Sequence, residues 1–203
     1  MNVTDQVEVR RGLPERHRRR AAEIYYEAFR QKFEPIMGSQ EHGVAVLEKA
    51  FDPCYALVAL HQDQLAGVAG VQYGGHHLLI FGCLTCEEFG WLRGLFKLVL
   101  FIPFSHRQRK GELWIDSIVV CPSMRGKGVG TRLLQAVFEL ARAEGFGLVG
   151  LEVVDTNPGA HRLYERMGFV STETHKLPYL RRVMGFSAST TMVKEIAGNV
   201  GKK

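Results

Sequence analysis

A glycine-rich segment, residues 123–132, holds the residues whose types and spacing point most directly to chemistry. A strand-like run from Leu113 to Val120 precedes it, and apolar residues at helical spacing follow it from Leu133 to Ala143. A turn between a strand and a helix gathers backbone N–H groups and the positive end of the helix dipole in one place. Glycines at 126, 128 and 130 let this backbone approach an anion closely, because they carry no Cβ. The segment therefore predicts a pyrophosphate site.

Two common phosphate-binding motifs do not fit this segment. A Walker loop needs a lysine followed by Ser or Thr after its last glycine, whereas Gly130 is followed by Thr131 and Arg132. A dinucleotide fingerprint needs the spacing G-x-G-x-x-G, which the three glycines do not have. The sequence thus disfavours a nucleoside triphosphate and a dinucleotide.

A second strand and helix follow in the chain. The run 147–154 is apolar except for one charge, which is typical of a strand with both faces covered. Asn157 is a candidate N-cap, Pro158 suits the first helical position, and Gly168 suits the end of a short helix that contains Tyr164. A structural role alone would account for both polar residues: helix capping for Asn157, and packing of its ring on one face of the short helix for Tyr164.

The two segments together resemble the GNAT superfamily of N-acetyltransferases. The stretch from Arg125 to Gly130 is similar to its acetyl-coenzyme A signature, [Q/R]-x-x-G-x-[G/A], and Asn157, Tyr164 and the closing pair Gly168-Phe169 are similar to its second motif. The resemblance is specific over residues 112–170. It implies an α/β (α+β) fold, with a mixed sheet of about seven strands splayed at the cofactor site and four to five flanking helices. One domain is expected over residues 1–203, with an apolar insertion at about 74–111.

The resemblance also assigns an acetyl-coenzyme A site. The backbone of the signature strand would pair with the pantetheine arm, and the glycine turn would hold the pyrophosphate with help from the Thr131 hydroxyl and the charge of Arg125 or Lys127. Plain solvation is the alternative for Lys127. The implied cofactor-binding residues are Ile118, Val119, Val120, Arg125, Gly126, Lys127, Gly128, Val129, Gly130, Thr131, Asn157 and Tyr164.

Acetyl transfer to an amine also needs groups that move protons. Asp116, on the signature strand, is the first candidate for the general base, and Glu112 on the same face is the second; either can instead be a surface charge or an ion-pair partner. Tyr164 resembles the family's tyrosine acid. The N–H of Val119 or Val120, at a bulge in the strand, is a candidate oxyanion donor.

Composition bounds the remaining possibilities. The 203 residues are 46% hydrophobic and 23% charged, as in one globular domain, and the net charge of +5 favours anionic ligands.

The polar start, residues 1–6, and charges within the apolar stretch 89–104 predict a cytoplasmic protein without a membrane span. The arginines within 16–20 suggest nucleic acid, but apolar residues at helical spacing favour a solvated helix face. No metal is expected, since Cys83 and Cys86 lack a second ligand pair.

These observations predict an N-acetyltransferase, an acyltransferase enzyme that uses acetyl-coenzyme A and a primary amine of a small molecule or peptide in a ternary complex. The alternative is a non-catalytic acyl-coenzyme A sensor or protein-interaction module that docks through the insertion. A homodimer is compatible with the insertion, and nucleic acid is disfavoured as a partner.

The sequence predicts these elements: strand 7–10, helix 14–32, helix 43–51, a hairpin of 55–60 and 65–71, and a last strand at 187–194.

Overall fold

The computed structural model describes residues 6–80, 110–178 and 181–196. Its strands are β1 Val7–Arg11, β2 Ala56–His61, β3 Gln64–Gln72, β4 Glu112–Val120, β5 Leu148–Val154, β6 Val170–Lys176 and β7 Ala188–Glu195. Its helices are α1 Glu15–Ala28, α2 Arg30–Met37, α3 Gln40–Ala50, α4 Val129–Ala143, α5 Pro158–Arg166 and α6 Arg181–Met184.

The strands form one sheet in the order β1-β2-β3-β4-β5-β7-β6. The β4–β5 pair is parallel, and the other neighbours are antiparallel. The predicted seven-stranded mixed sheet is confirmed. Because β4 and β5 run in the same direction, both end at the same edge of the sheet, where the turn into α4 and the turn into α5 lie side by side.

Helices cover both faces of the sheet. The apolar stripe of α4, which includes Leu133, Leu134 and Val137, packs on one face with Tyr164 of α5. Helices α1 and α3 pack on the other face, where Tyr25 and Leu47 are buried. Most residues of β4 therefore lie between two cores, and Asp116 is exposed.

Local signals set the helix boundaries, and two of them differ from the prediction. The predicted helix 14–32 is interrupted at Phe29, whose φ of −114° and ψ of 23° separate α1 from α2. The ring of Phe29 packs 4.9 Å from that of Tyr25 and 6.1 Å from that of Phe33, so aromatic packing accompanies the break. Helix α3 begins at Gln40, three residues before the predicted start, because the Ser39 hydroxyl accepts the His42 N–H as an N-cap.

Strand β6 was not among the predicted elements. All seven of its residues are exposed, and within the described part of the chain the strand pairs only with β7, at the edge of the sheet. A strand with no buried face shows no alternation of apolar and polar residues, so the sequence carries no periodic signal for it.

Residues 81–109, which include Cys83, Cys86 and most of the predicted insertion, lie outside the described residues. Across the described ranges, no group of three or more His, Cys, Asp or Glu side chains is arranged to hold a metal ion. None of the helices in this part of the chain is long and apolar enough to cross a bilayer.

The arginines at the start of α1 face carboxylates. Arg16 lies 2.6 Å from Asp63, Arg20 lies 2.8 Å from Glu23, and Arg19 reaches Glu48. Arg16, Arg19 and Arg20 are themselves exposed, so these ion pairs lie at the surface.

Candidate functional site

Strands β4 and β5 separate halfway along their length. They pair from Glu112 with Leu148 to Ile115 with Leu151, and no pairing continues beyond that point. From there, among the residues that the structure describes, β4 pairs only with β3 and β5 pairs only with β7. An opening therefore lies between residues 116–120 of β4 and 152–154 of β5, and we call it the β4–β5 gap.

A β-bulge at Asp116 marks the start of the gap. Gly70 of β3 pairs with Ser117 and Val71 pairs with Ile115, so Asp116 is the extra residue. The bulge shifts by one residue the alternation of side chains between the two faces of the sheet. Leu113 and Ile115 before it, and Ile118 and Val120 after it, face the α4 core. The bulge thus lies at Asp116 instead of at Val119 or Val120, where the sequence analysis expected it.

The backbone of β4 offers alternate residues to the gap. The N–H of Cys121 donates to the Ala66 carbonyl of β3, and the Val119 carbonyl lies against Gly67 of the same strand. Backbone groups of alternate strand residues point to opposite edges. Ile118 and Val120 consequently direct their N–H and C=O groups at the gap. Val119 points at β3, which corrects its predicted pairing with pantetheine and its predicted role as an oxyanion donor.

The glycine turn closes one end of the gap. Gly126 and Gly128 have φ angles of 74° and 79°, in the left-handed region that favours glycine. Helix α4 begins at Val129, and the Arg132 N–H makes the first helical bond, to the Gly128 carbonyl. The N–H groups of the first turn, up to Thr131, precede that bond and are available to an anion by helix geometry.

Arg125 lies between the turn and the gap. Its Nε donates to the Val120 carbonyl over 3.3 Å, so the guanidinium lies at the end of β4. Lys127 is exposed in the turn itself. Positive charge is therefore present at the edge of the gap where the pyrophosphate is predicted.

Asp116 lies on the opposite side of the sheet from α4. Its side chain retains an exposed face although protein surrounds most of the carboxyl. This burial raises the pKa of Asp116 to about 6, opposed by a hydrogen bond from the Leu78 N–H. Leu78 is itself held in place, since its carbonyl accepts the Asp52 N–H over 2.7 Å. A carboxyl with such a pKa can accept a proton near neutral pH.

Glu112, the second candidate base, is placed differently. It lies in the paired part of β4 and is 2% exposed. Its carboxyl and the Trp114 ring both border Gly150 of β5. The structure therefore separates Glu112 from the gap and leaves Asp116 as the predicted carboxylate at the opening.

Tyr164 is buried on the α4 side of the sheet, with its ring 5.8 Å from that of Phe169. Burial raises the pKa of Tyr164 to about 12, so its phenol carries a proton at neutral pH. The Leu163 side chain next to it reaches Gly130 in the first turn of α4. Tyr164 thus lies in the helix that meets the glycine turn.

The turn after β5 is fixed by two polar side chains. The Asn157 side chain accepts the Ala160 N–H over 3.1 Å, which confirms the predicted N-cap. The Asp155 carboxylate accepts both the N–H and the hydroxyl of Ser187, and these bonds join the end of β5 to the start of β7. A cavity of about 260 Å³ borders this turn; its lining residues are Val153, Val154, Asp155, Pro158, His161, Arg162 and Thr190.

Glu152 is a further candidate residue, which was not among the predicted ones. The Trp114 ring covers Gly150, so both residues share a face of the sheet. Two positions later on that face come Asp116 in β4 and Glu152 in β5, each directly after the last pair of the ladder. Glu152 is exposed. The single charge in an otherwise apolar strand was the signal available in the sequence.

The chain is similar to known acetyltransferases in sequence and in fold. The acetyltransferase (GNAT) family model matches residues 19–169. The chain belongs to this family. Its structure also superposes on that of yncA from Salmonella typhimurium with its cofactor acetyl-coenzyme A, at a TM-score of 0.61 and 16% identity, over 98% of each chain. At this identity the likeness concerns the fold.

Curated members of the GNAT family match shorter parts of the chain. Streptothricin acetyltransferase of Streptomyces lavendulae is 39% identical over 69 residues, 34% of this chain and 36% of that protein. Spermine/spermidine N(1)-acetyltransferase of Bacillus subtilis is 28% identical over 108 residues, 53% of this chain and 65% of that enzyme. The chain thus spans about a third of the length of the first of these relatives and just under two thirds of the second.

Proposed function

We propose that this GNAT protein is an acetyl-coenzyme A-dependent N-acetyltransferase that acetylates a primary amine of a small molecule or peptide by direct attack in a ternary complex. The observation that carries the proposal is the β4–β5 gap, which ends at a glycine turn and a helix N-terminus. A strand-like ligand arm with a pyrophosphate fits such an opening, because backbone groups of Ile118 and Val120 line its edge. Bound acetyl-coenzyme A would supply the acetyl group as a thioester.

The residues around the gap suit the proton movements of this reaction. Asp116 accepts a proton from the ammonium form of the amine, which frees the nitrogen lone pair for attack. Tyr164 keeps its phenolic proton at neutral pH and donates it to the departing sulfur. The N–H of Ile118 or Val120 is directed at the gap and can stabilise negative charge on oxygen. Glu152 adds a carboxylate beside Asp116 and favours a positively charged acceptor.

The cofactor site is tested by calorimetric titration with acetyl-coenzyme A, with ATP as a control ligand. Gly126→Asp adds a negative charge to the turn, and we expect it to weaken acetyl-coenzyme A binding by about tenfold or more. Gly145→Asp is the matched control, because Gly126 and Gly145 both have left-handed φ angles, 74° and 77°, and a Cβ at either would meet nothing within 4 Å. Gly145 lies beyond the opposite end of α4. Equal weakening in both variants would contradict the site.

Turnover is tested by thiol release with a panel of amines. The panel includes streptothricin, spermine and spermidine, since relatives are named for these compounds. Release of coenzyme A that depends on an amine supports the proposal. Tight binding of acetyl-coenzyme A without turnover on any amine would favour a non-catalytic acyl-coenzyme A sensor.

A further inference from the structure

The side of the Asp116 bulge that faces α1 contains two buried hydroxyl groups. The bulge places Ser117 directly after Asp116, with its side chain on the α1 face. Ser117 is 6% exposed and Tyr25 of α1 is 5% exposed. Neither group has a place in the acetyl-transfer chemistry described above, which makes their burial next to Asp116 a separate observation.

The Ser117 hydroxyl has unused hydrogen-bonding capacity. Within the described residues, its Oγ is buried without a hydrogen-bond partner in good geometry. The Tyr25 phenol is its neighbour: burial raises the pKa of Tyr25 far above its ordinary value, and the nearby Ser117 hydroxyl is the opposing influence. The two hydroxyls are thus close but not well aligned. A buried hydroxyl without a partner is costly, so its presence requires an explanation, and a catalytic role is one of those known.

The surrounding residues leave space for this arrangement. Gly70 pairs with Ser117, and a Cβ at Gly70 would lie 2.9 Å from Ser117 Oγ and 2.6 Å from the Leu78 side chain. Leu78 in turn donates its N–H to Asp116. The absence of a side chain at Gly70 therefore lets Ser117 and Leu78 both lie against the bulge.

We propose that Ser117 and Tyr25 are positioning residues that hold the protonated form of the Asp116 carboxyl during catalysis, an inference that rests on the proposed acetyl transfer. When the acceptor's N–H bond breaks, the proton forms an O–H bond on Asp116. That O–H donates to Ser117 Oγ, and the Ser117 hydrogen turns to the Tyr25 oxygen. No proton leaves either hydroxyl, and Asp116 later returns its proton to solvent through its exposed face.

Other groups near Asp116 define the background for a titration. Tyr25 faces Asp116 from α1, the Leu78 N–H binds it from the segment after β3, and Glu152 holds the equivalent position on β5. Glu112 precedes it on its own strand, four residues away in the closed ladder. Removal of a neutral hydroxyl changes none of these charges, so a change in the titration of Asp116 reports on the hydroxyl pair.

The test is a carbon-13 NMR titration of the Asp116 carboxyl in the full chain, with Asp116→Asn used to assign the signal. In Tyr25→Phe the Ser117 hydrogen is free to donate to the Asp116 carboxylate, and in Ser117→Ala the protonated carboxyl loses its acceptor. Both changes favour the charged form, so we expect the pKa of Asp116 to fall by about 0.5 to 1 in each variant. Tyr26→Phe is the matched control, because Tyr26 is the neighbouring buried tyrosine and its hydroxyl donates to the Gly38 carbonyl.

An unchanged pKa of Asp116 in folded Tyr25→Phe and Ser117→Ala would overturn the proposal, as would an equal fall in Tyr26→Phe. If one variant fails to fold, the other still decides the question. In kinetics, the acid limb of kcat/KM should move to lower pH in both hydroxyl variants, while the Kd for acetyl-coenzyme A stays constant. The titration needs no acceptor, so a protein that does not transfer acetyl groups is distinguished from one whose hydroxyls do not act on Asp116.

Discussion

The Trp114 ring of β4 occupies the space above Gly150, its partner in the parallel ladder with β5. A Cβ at Gly150 would lie 2.5 Å from the ring and 2.8 Å from the Glu112 carboxyl. We expect Gly150→Ala to lower the free energy of unfolding by about 1–3 kcal/mol, because the ring and the strand must move apart. Acetyl-coenzyme A should also bind more weakly, since this ladder sets the position of the gap. Urea unfolding and calorimetry measure the two effects.

Gly147→Ala is the control for this substitution. Gly147 directly precedes β5, and a Cβ there would meet nothing within 4 Å. We expect it to change stability by less than about 0.5 kcal/mol. If both variants lower the free energy of unfolding by a similar amount, then glycine is needed at 150 for its backbone freedom, and not because of the Trp114 contact.

Asp116→Asn should stabilise the protein more at neutral than at acidic pH. The pKa of Asp116 is about 6 in the folded chain, whereas that of an aspartate in an unfolded chain is about 3.9. The folded state therefore keeps a proton that the unfolded state has lost, and stability falls as pH rises from about 4 to about 6. Asparagine has no such loss. Urea unfolding of both proteins at about pH 4.5 and pH 7.5 measures the difference.

Asp63→Asn serves as the control for that pH dependence. Asp63 is an exposed turn residue paired with Arg16, away from the gap. A larger gain for Asp116→Asn at acidic than at neutral pH would contradict the buried environment assigned to the carboxyl.

Tyr164→Phe should reduce kcat and leave the Kd for acetyl-coenzyme A unchanged. The substitution keeps the ring packed on Phe169 and removes only the phenolic hydroxyl group, which carries the proton. General acids typically contribute about 10² to 10⁴ in rate, so we expect a loss within that range. Steady-state kinetics with the best amine of the panel measures it. An unchanged kcat would assign Tyr164 to packing alone.

Two substitutions distinguish a helix-capping role of Asn157 from a role in binding acetyl-coenzyme A. Asn157→Ser retains an oxygen for the Ala160 N–H, whereas Asn157→Ala removes it and should cost about 1 kcal/mol of stability. If the residue also binds acetyl-coenzyme A, both variants should raise the Kd. Retention of wild-type affinity in Asn157→Ser would limit Asn157 to capping, as shown by paired melting and binding experiments.

Features with local causes were predictable from the sequence. The glycine turn, the hairpin with its turn at Gln62 and Asp63, and the cap at Asn157 each depend on neighbouring residues, and the structure has all three. The direction of the Val119 backbone was not predictable, because a one-residue bulge decides which edge of the strand it faces. The break at Phe29 was not predictable either, because neither glycine nor proline stands there; ring contacts of Phe29 with Tyr25 and Phe33, each four residues away, accompany it.

Glu152 shows a second limit of the sequence. The role proposed for it comes from its register with Asp116, and register between two strands is set by long-range pairing rather than by local pattern. The family resemblance supplied the predicted role of Tyr164, and the position of Asp116 on the signature strand made it the first candidate base. The resemblance gave no reason to select the carboxylate on the opposite strand.

The ladder between β4 and β5 contains four residue pairs, whereas β5 and β7 share seven. By backbone pairing, the sheet therefore consists of two groups of strands, β1–β4 and β5–β7, joined by this short ladder. A ligand arm in the gap would add backbone hydrogen bonds on the β4 side of this ladder. It would thereby connect the two groups of strands more firmly. Amide hydrogen exchange in β5 and β7 should then slow when acetyl-coenzyme A binds, so the substrate would complete the cooperativity of the fold as well as enter its chemistry.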